Sequence, residues 1–165
     1  MRLYLPATST ALAELLDRGE LGPPPLTGFA VTPGLREWYL DDDLEALEYA
    51  AFSEAARGSL RLLDADGSAA RRRVVVAADV PDGSVDVRDD LDRGVVTVTT
   101  SVPLPAIASV HIDDADAQDT VAAAAEAVIA ADLGDPGSQE RVDDAEGFEL
   151  NWYATQEIAD LLGTL

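Results

Sequence analysis

The 165-residue chain has no cysteine, no lysine, one histidine and one methionine. Without cysteine there is no disulfide, no thiolate metal site and no cysteine nucleophile. Positive charge is scarce: 11 arginines face 32 acidic residues, for a formal net charge of -21. Such a balance argues against binding to a phosphate backbone. No uninterrupted apolar run approaches the roughly 18 residues that a membrane span needs. The opening segment Met1–Pro6 lacks the long apolar core of a signal peptide. The expectation is a cytoplasmic protein that engages neither nucleic acid nor membrane. No Walker loop, G-x-G-x-x-G, G-x-S-x-G elbow, H-E-x-x-H or kinase motif occurs. No cofactor is implied.

What the chain does contain is a hydrophobic fraction of 47%. That argues against intrinsic disorder. The length suits one domain over residues 1–165. Alanine supplies 28 residues, so the core depends on the larger side chains. Arginine in place of lysine, with abundant Ala and Asp, reads as a GC-rich genome; a salt-adapted proteome would share the acidity. Charge is uneven along the chain. Residues 1–40 carry 3 Arg against 4 acids (-1), residues 41–110 carry 7 against 14 (-7), and residues 111–165 carry 1 against 14 (-13). An acidic surface attracts basic partners or cations.

Local patterns predict alternating strands and helices. Residues 2–5 read as a strand, followed by a helix capped by Thr8 or Ser9 and closed by Gly19. Gly22-Pro23-Pro24-Pro25 is a stiff connector. A strand over 27–32 leads into Thr32-Pro33, an N-cap followed by proline at N1, and a short helix over 34–40. Asp41–Asp43 suit a helix start, with Asp42 and Glu45 as a capping box. The helix over 43–63 carries two apolar stripes, Leu44, Leu47, Ala51, Ala55 and Leu62, and Tyr49, Phe52, Ala56, Leu60 and Leu63. Two stripes predict burial on more than one side. Residues 72–80, 84–88, 95–102 and 106–112 read as strands. Asp116 is the expected cap of a helix over 117–132, 134–147 reads as a mobile acidic loop, 148–153 as extended, and Thr155 as the start of a last helix. The order predicts an α+β (α/β) domain: a mixed β-sheet of about five strands, with helices mainly on one face. The first crossover is expected to be right-handed and to join parallel neighbours.

The nine aromatic residues avoid residues 53–147 entirely. This predicts that the two ends of the chain meet in one aromatic cluster, serving as core, dimer face or pocket. Arg36 lies in the first turn of a helix at the end of a strand, where free N–H groups can hold an anion. Glu37, Glu48 and Asn151 are the nearest groups for orientation or proton transfer, and Arg2 could project to the same end of the sheet. The predicted ligand-binding set is Arg36, Glu37, Trp38, Tyr49, Asn151 and Trp152.

His111, the single histidine, alternates with Ile107 and Ser109 along its strand. A lone histidine can act as a general base near neutral pH, but is more often an ordinary structural residue. His111 with Asp113, Asp114 and Asp116 lacks the spacing of a calcium loop, and helix capping explains the acids; no metal is expected. Arg71-Arg72-Arg73 is too short for a nucleic-acid footprint and reads as charge at a strand edge.

Arg2–Thr8, Leu21-Gly22-Pro23, Phe29–Tyr39 and Leu47–Ala51 together resemble a family of small acidic actinobacterial proteins of unknown function. The resemblance implies a bacterial cytoplasmic protein and favours the GC-rich reading. It carries over no catalytic residue. The leading functional expectation is a non-enzymatic binding or protein-interaction domain that self-associates as a homodimer. The alternative is a small enzyme or ligand-binding domain acting on an anionic metabolite through an aromatic-lined pocket. A decoy for a basic partner is the third reading.

Overall fold

The computed structural model describes residues 1–40 and 42–165. Its elements run β1 (Arg2–Ala7), α1 (Ser9–Arg18), β2 (Glu20–Leu21), β3 (Leu26–Phe29), α2 (Pro33–Trp38), α3 (Leu44–Ala65) and β4 (Val74–Asp79). They continue with β5 (Val85–Val87), β6 (Val95–Val98), β7 (Val102–Pro103), β8 (Ile107–Asp113), α4 (Gln118–Asp132), α5 (Pro136–Glu146), β9 (Leu150–Tyr153) and α6 (Ile158–Leu162).

Helix ends follow the capping chemistry. The Thr8 hydroxyl accepts from the Ala11 N–H at 3.2 Å, and Gly19 closes α1 at φ 77°, a conformation that costs glycine little. Thr32 caps α2 with Pro33 behind it. Asp43, not Asp42, caps α3, accepting from the Glu45 N–H at 3.2 Å; Asp41 lies outside the described residues. Asp116 does not cap α4. It sits in a 3-10 turn, Ala115–Ala117, that Asp114 opens and that runs into the helix. The segment expected as a loop over 134–147 is mostly helix α5, with Asp135 accepting from the Ser138 N–H at 2.9 Å and Pro136 at N1.

The fold is α+β, but the sheet differs from the expectation. It has seven strands rather than about five, in the order β5-β6-β3-β1-β4-β8-β9. Every neighbouring pair is antiparallel, so the sheet is not mixed. The expected parallel crossover is absent too. After α1 the chain forms β2, which pairs with β7 in a separate two-stranded sheet. The chain then returns through the Pro23–Pro25 connector, and β3 lies antiparallel to β1 with Tyr4 opposite Phe29.

Strand alternation divides the core. Leu3, Leu5, Val74, Val76, Val110 and Ile112 share one face with Leu12 and Leu15 of α1 and Ile158 of α6. Tyr4, Phe29, Val75 and Ala77 share the other with Leu47, Ala51 and Ala55 of α3. Helices therefore cover both faces. The longer ones lie on the second side, where α4 and α5 pack Val121, Val128 and Val142 against Leu60 and Leu63 of α3. β4 lies between β1 and β8 and is buried on both faces over Val74–Ala78, which its unbroken apolar run anticipates.

Candidate functional site

The two stripes of α3 have different fates. The Leu47, Ala51, Ala55 stripe lies on the sheet. The second stripe meets α4 and α5 only at its C-terminal end, through Leu60 and Leu63. Its N-terminal end, Tyr49 and Phe52, faces a cleft of about 830 Å³. Ligand sites commonly occupy roughly 300–1,000 Å³. α3 forms one wall, and α5 with the segment leading into β9 forms the other, through Val142, Glu146, Phe148 and Glu149. The floor is the sheet, through Arg2 and Tyr4 of β1, Ala77 of β4, Ser109 and His111 of β8, and Trp152 of β9. Tyr49 is 65% exposed and Trp152 is 61% exposed, so both rings present free apolar surface.

Ring contacts cross the floor. Tyr4 meets Phe52 edge-on with centroids 5.9 Å apart, and Phe52 meets His111 edge-on at 4.9 Å. The Tyr4 hydroxyl donates to Glu48 Oε2 at 3.4 Å. Burial, and then the Glu48 charge, raise the Tyr4 hydroxyl above its ordinary range. His111 Nε2 lies 3.0 Å from Ser109 Oγ. Burial, followed by the charge of Arg2, lowers the His111 imidazole below its ordinary value, so the neutral form prevails at pH 7.

The three arginines of the cleft are all held by the chain's own aspartates. Arg2 forms a two-pronged pair with Asp79 at 2.7 and 3.0 Å. Arg57 donates to Asp132 at 3.0 Å. Arg73 is buried and donates to both oxygens of Asp113 at 2.8 Å and to the Phe148 carbonyl at 3.0 Å. Five glutamates line the same cleft: Glu45, Glu48, Glu54, Glu146 and Glu149. Among the described residues none of the five is in an ion pair. The cleft is therefore aromatic below and acidic at its walls. Among the described residues no three His, Asp or Glu side chains gather as a metal site would require.

Of the predicted ligand set, the fold brings Tyr49 and Trp152 to this cleft, and leaves the other four residues elsewhere. Asn151 faces away from Trp152, because successive strand residues alternate and Asn151 pairs with Ile112 of the opposite core. Arg36, Glu37 and Trp38 sit on α2, over the β3–β6 half of the sheet, where Leu35 packs with Phe29 and Val95. The Trp38 ring lies under the Arg93 guanidinium, 3.4 Å from its centroid.

The anion place at the start of α2 is filled from within. Asp89 accepts from the Thr32 hydroxyl at 2.6 Å, the Gly34 N–H at 3.0 Å and the Gly94 N–H at 3.0 Å. Burial alone would raise its carboxyl, but these hydrogen bonds outweigh burial and hold it below the usual carboxylate range. Glu48 and Arg2, neighbours of a site by the sequence, do line the cleft, with five of the nine aromatics, Tyr4, Tyr49, Phe52, Phe148 and Trp152; Phe29, Trp38, Tyr39 and Tyr153 lie elsewhere, so the aromatics do not form one cluster. In the sequence Ser109 stands out only by its alternation with His111. Arg73, an edge charge by its place in the Arg71–Arg73 run, is instead buried beside a central strand. The signal for Ser109 and His111 was their spacing of two on one strand.

Residues 1–162 match the model of a family described as a family of unknown function, DUF6912. No curated protein and no solved structure matches the chain.

Proposed function

Because the chain belongs to DUF6912, a family without an assigned function, we propose from the cleft itself that it binds a small organic cation with a planar or apolar body. The observation that carries this reading is the pairing of exposed Tyr49 and Trp152 rings with five lining glutamates, while each lining arginine is engaged by an aspartate. An ammonium or guanidinium over an aromatic face is attracted by the ring quadrupole. Carboxylates at the walls, mostly solvent-exposed, add a screened attraction. The same charges disfavour the anionic metabolite considered from the sequence. Thermal unfolding against phenethylamine, benzamidine and benzyltrimethylammonium, with benzoate and phenylacetate as anionic counterparts, tests the reading. A ligand at 100 times its Kd adds about 2.7 kcal/mol, a rise of several degrees at this size. Stabilisation by the cations beyond a salt control supports it; stabilisation by the anions alone overturns it.

A second reading, self-association, is favoured by one surface feature. Trp38, Tyr39, Leu40 and Leu44 are all exposed, Leu40 completely. They adjoin the part of the chain that is nearly neutral, at -1 over residues 1–40. Light scattering of the protein and of Trp38→Ser/Leu40→Ser checks it: a dimer lost in the variant is expected, and a monomer at high concentration refutes it.

A further inference from the structure

The cleft holds a pair of side chains whose chemistry goes beyond binding. Ser109 Oγ and His111 Nε2 lie 3.0 Å apart on the cleft floor. That is the separation at which a hydroxyl passes its proton to an imidazole base. Plain alternation puts both on one face, and a β-bulge just before them re-aims Ile107. On β4 the register runs from Ala77 opposite Ser109 to Ala78 opposite Ile107, leaving Ala108 as the extra residue. Without it, Ile107 and Ser109 would share a face. With it, Ile107 joins the opposite core, while Ser109 and His111 both face the cleft. Bulges recur where a strand must re-aim a side chain. The imidazole is braced by the edge-on Phe52 ring. It is also kept neutral by burial and by Arg2, as a base must be. Ser109 is buried among protein atoms yet lines the cavity, so bulk water does not surround it.

We propose that Ser109 and His111 are a nucleophile–base pair that hydrolyses a carboxylic ester carrying a cationic group. The proposal rests on the cation-binding reading of the same cleft. Ser109 Oγ forms a bond to the ester carbonyl carbon as its proton passes to His111 Nε2. The bond from that carbon to the alcohol oxygen then breaks, and His111 returns the proton to the departing alcohol. Water attacks the acyl-serine, giving its proton to His111, which passes it to Ser109 Oγ as the carboxylic acid leaves. One water is consumed, and acid and alcohol are released. Arg2 lines the same cleft, held in its two-pronged pair with Asp79.

The test uses the full chain with two probes: an alkyl fluorophosphonate, read by intact mass and peptide mapping, and benzoylcholine, read by benzoate release. The expected result is one phosphonyl adduct on Ser109, and hydrolysis at least tenfold above Ser109→Ala. The rate is expected to rise with pH and level off below the ordinary histidine value of 6.5. His111→Gln is expected to lose both signals, which substitution of a merely structural histidine would not do. Thermal unfolding of each variant shows that it is folded. No adduct, or an adduct that persists in Ser109→Ala, overturns the proposal. Cation binding without an adduct removes only the chemistry, whereas a Ser109 adduct without cation binding removes the ligand class and keeps the pair.

Discussion

The Phe52 ring meets the His111 imidazole edge-on, its centroid 4.9 Å away and its plane inclined by 75°. This contact ties the second stripe of α3 to β8 and fixes the floor of the cleft. It also helps bury the imidazole, which titrates low for that reason first and for the Arg2 charge second. The charged and titratable groups around the cleft are Arg2 and Tyr4 on β1, Glu45, Glu48, Tyr49, Glu54 and Arg57 on α3, Arg73 ahead of β4, and Glu146 and Glu149 on the far wall. A lowered imidazole contributes stability that is complete above the unfolded value of 6.5 and is lost as pH falls through the folded value. Urea unfolding from pH 7.5 to pH 5 is expected to show this loss, and His111→Gln to flatten it. Equal pH slopes in both proteins would contradict the assignment.

The Arg73–Asp113 pair is expected to be the most sensitive polar contact. Asp113 receives the Arg73 backbone N–H, Nε and Nη2, each at 2.8 Å, with both side chains almost wholly buried. Removing one partner strands a buried charge. Asp113→Ala is expected to cost about 3–5 kcal/mol, measured by urea denaturation; a cost below about 1 kcal/mol would show that the arginine finds another partner.

Gly34 has a packing reason to be glycine. A Cβ there would lie 2.5 Å from Asp89 Cγ, the carboxylate that closes the start of α2. Gly34→Ala must displace Asp89 and leave the Thr32 and Gly94 donors without it. The expected loss is about 1–3 kcal/mol. In an Asp89→Ala background the same substitution is expected to cost much less, and the double-mutant cycle reads that coupling.

Much of this architecture was legible locally. Thr8, Gly19, Thr32 and Pro33 mark helix ends by capping chemistry that depends on a few neighbouring atoms. The two stripes of α3 also follow from spacing, whereas the single aromatic cluster expected from the aromatic-free middle forms only in part, through Tyr4, Tyr49, Phe52, Phe148 and Trp152. Strand partners did not, because register depends on contacts between distant segments. A strand followed by a helix reads as a parallel crossover unless the diversion of β2 to pair with β7 is known. α5 was hidden by composition. Its Gly, Ser and acidic residues read as loop, and only Val142 and Ala145 are buried. Its real signal was Asp135-Pro136, the same N-cap and N1 pattern recognised at Thr32-Pro33. The site suffered from the same gap. Arg36 looked like an anion holder because Asp89, 53 positions away, could not be foreseen at that helix start. The bulge at Ala108 moves Ile107 off the face that simple alternation assigned it.

Tyr49 separates binding from folding. Its ring is 65% exposed and lies outside the buried clusters. Tyr49→Ala is expected to change stability by no more than about 0.5 kcal/mol. It should weaken an aromatic-bound cation by about 0.5–2 kcal/mol, roughly 2- to 30-fold. Parallel unfolding and binding curves check both halves.

The measurement that bears most directly on the cleft is calorimetric titration of benzyltrimethylammonium into the protein, with sodium at equal ionic strength as the control. A chain of net charge -21 attracts any cation through its field, and the control removes that contribution. The account predicts saturable one-to-one binding of the aromatic cation, weakened by both Tyr49→Ala and Trp152→Ala. Indistinguishable heats for the two cations, or binding that both variants leave unchanged, would contradict it.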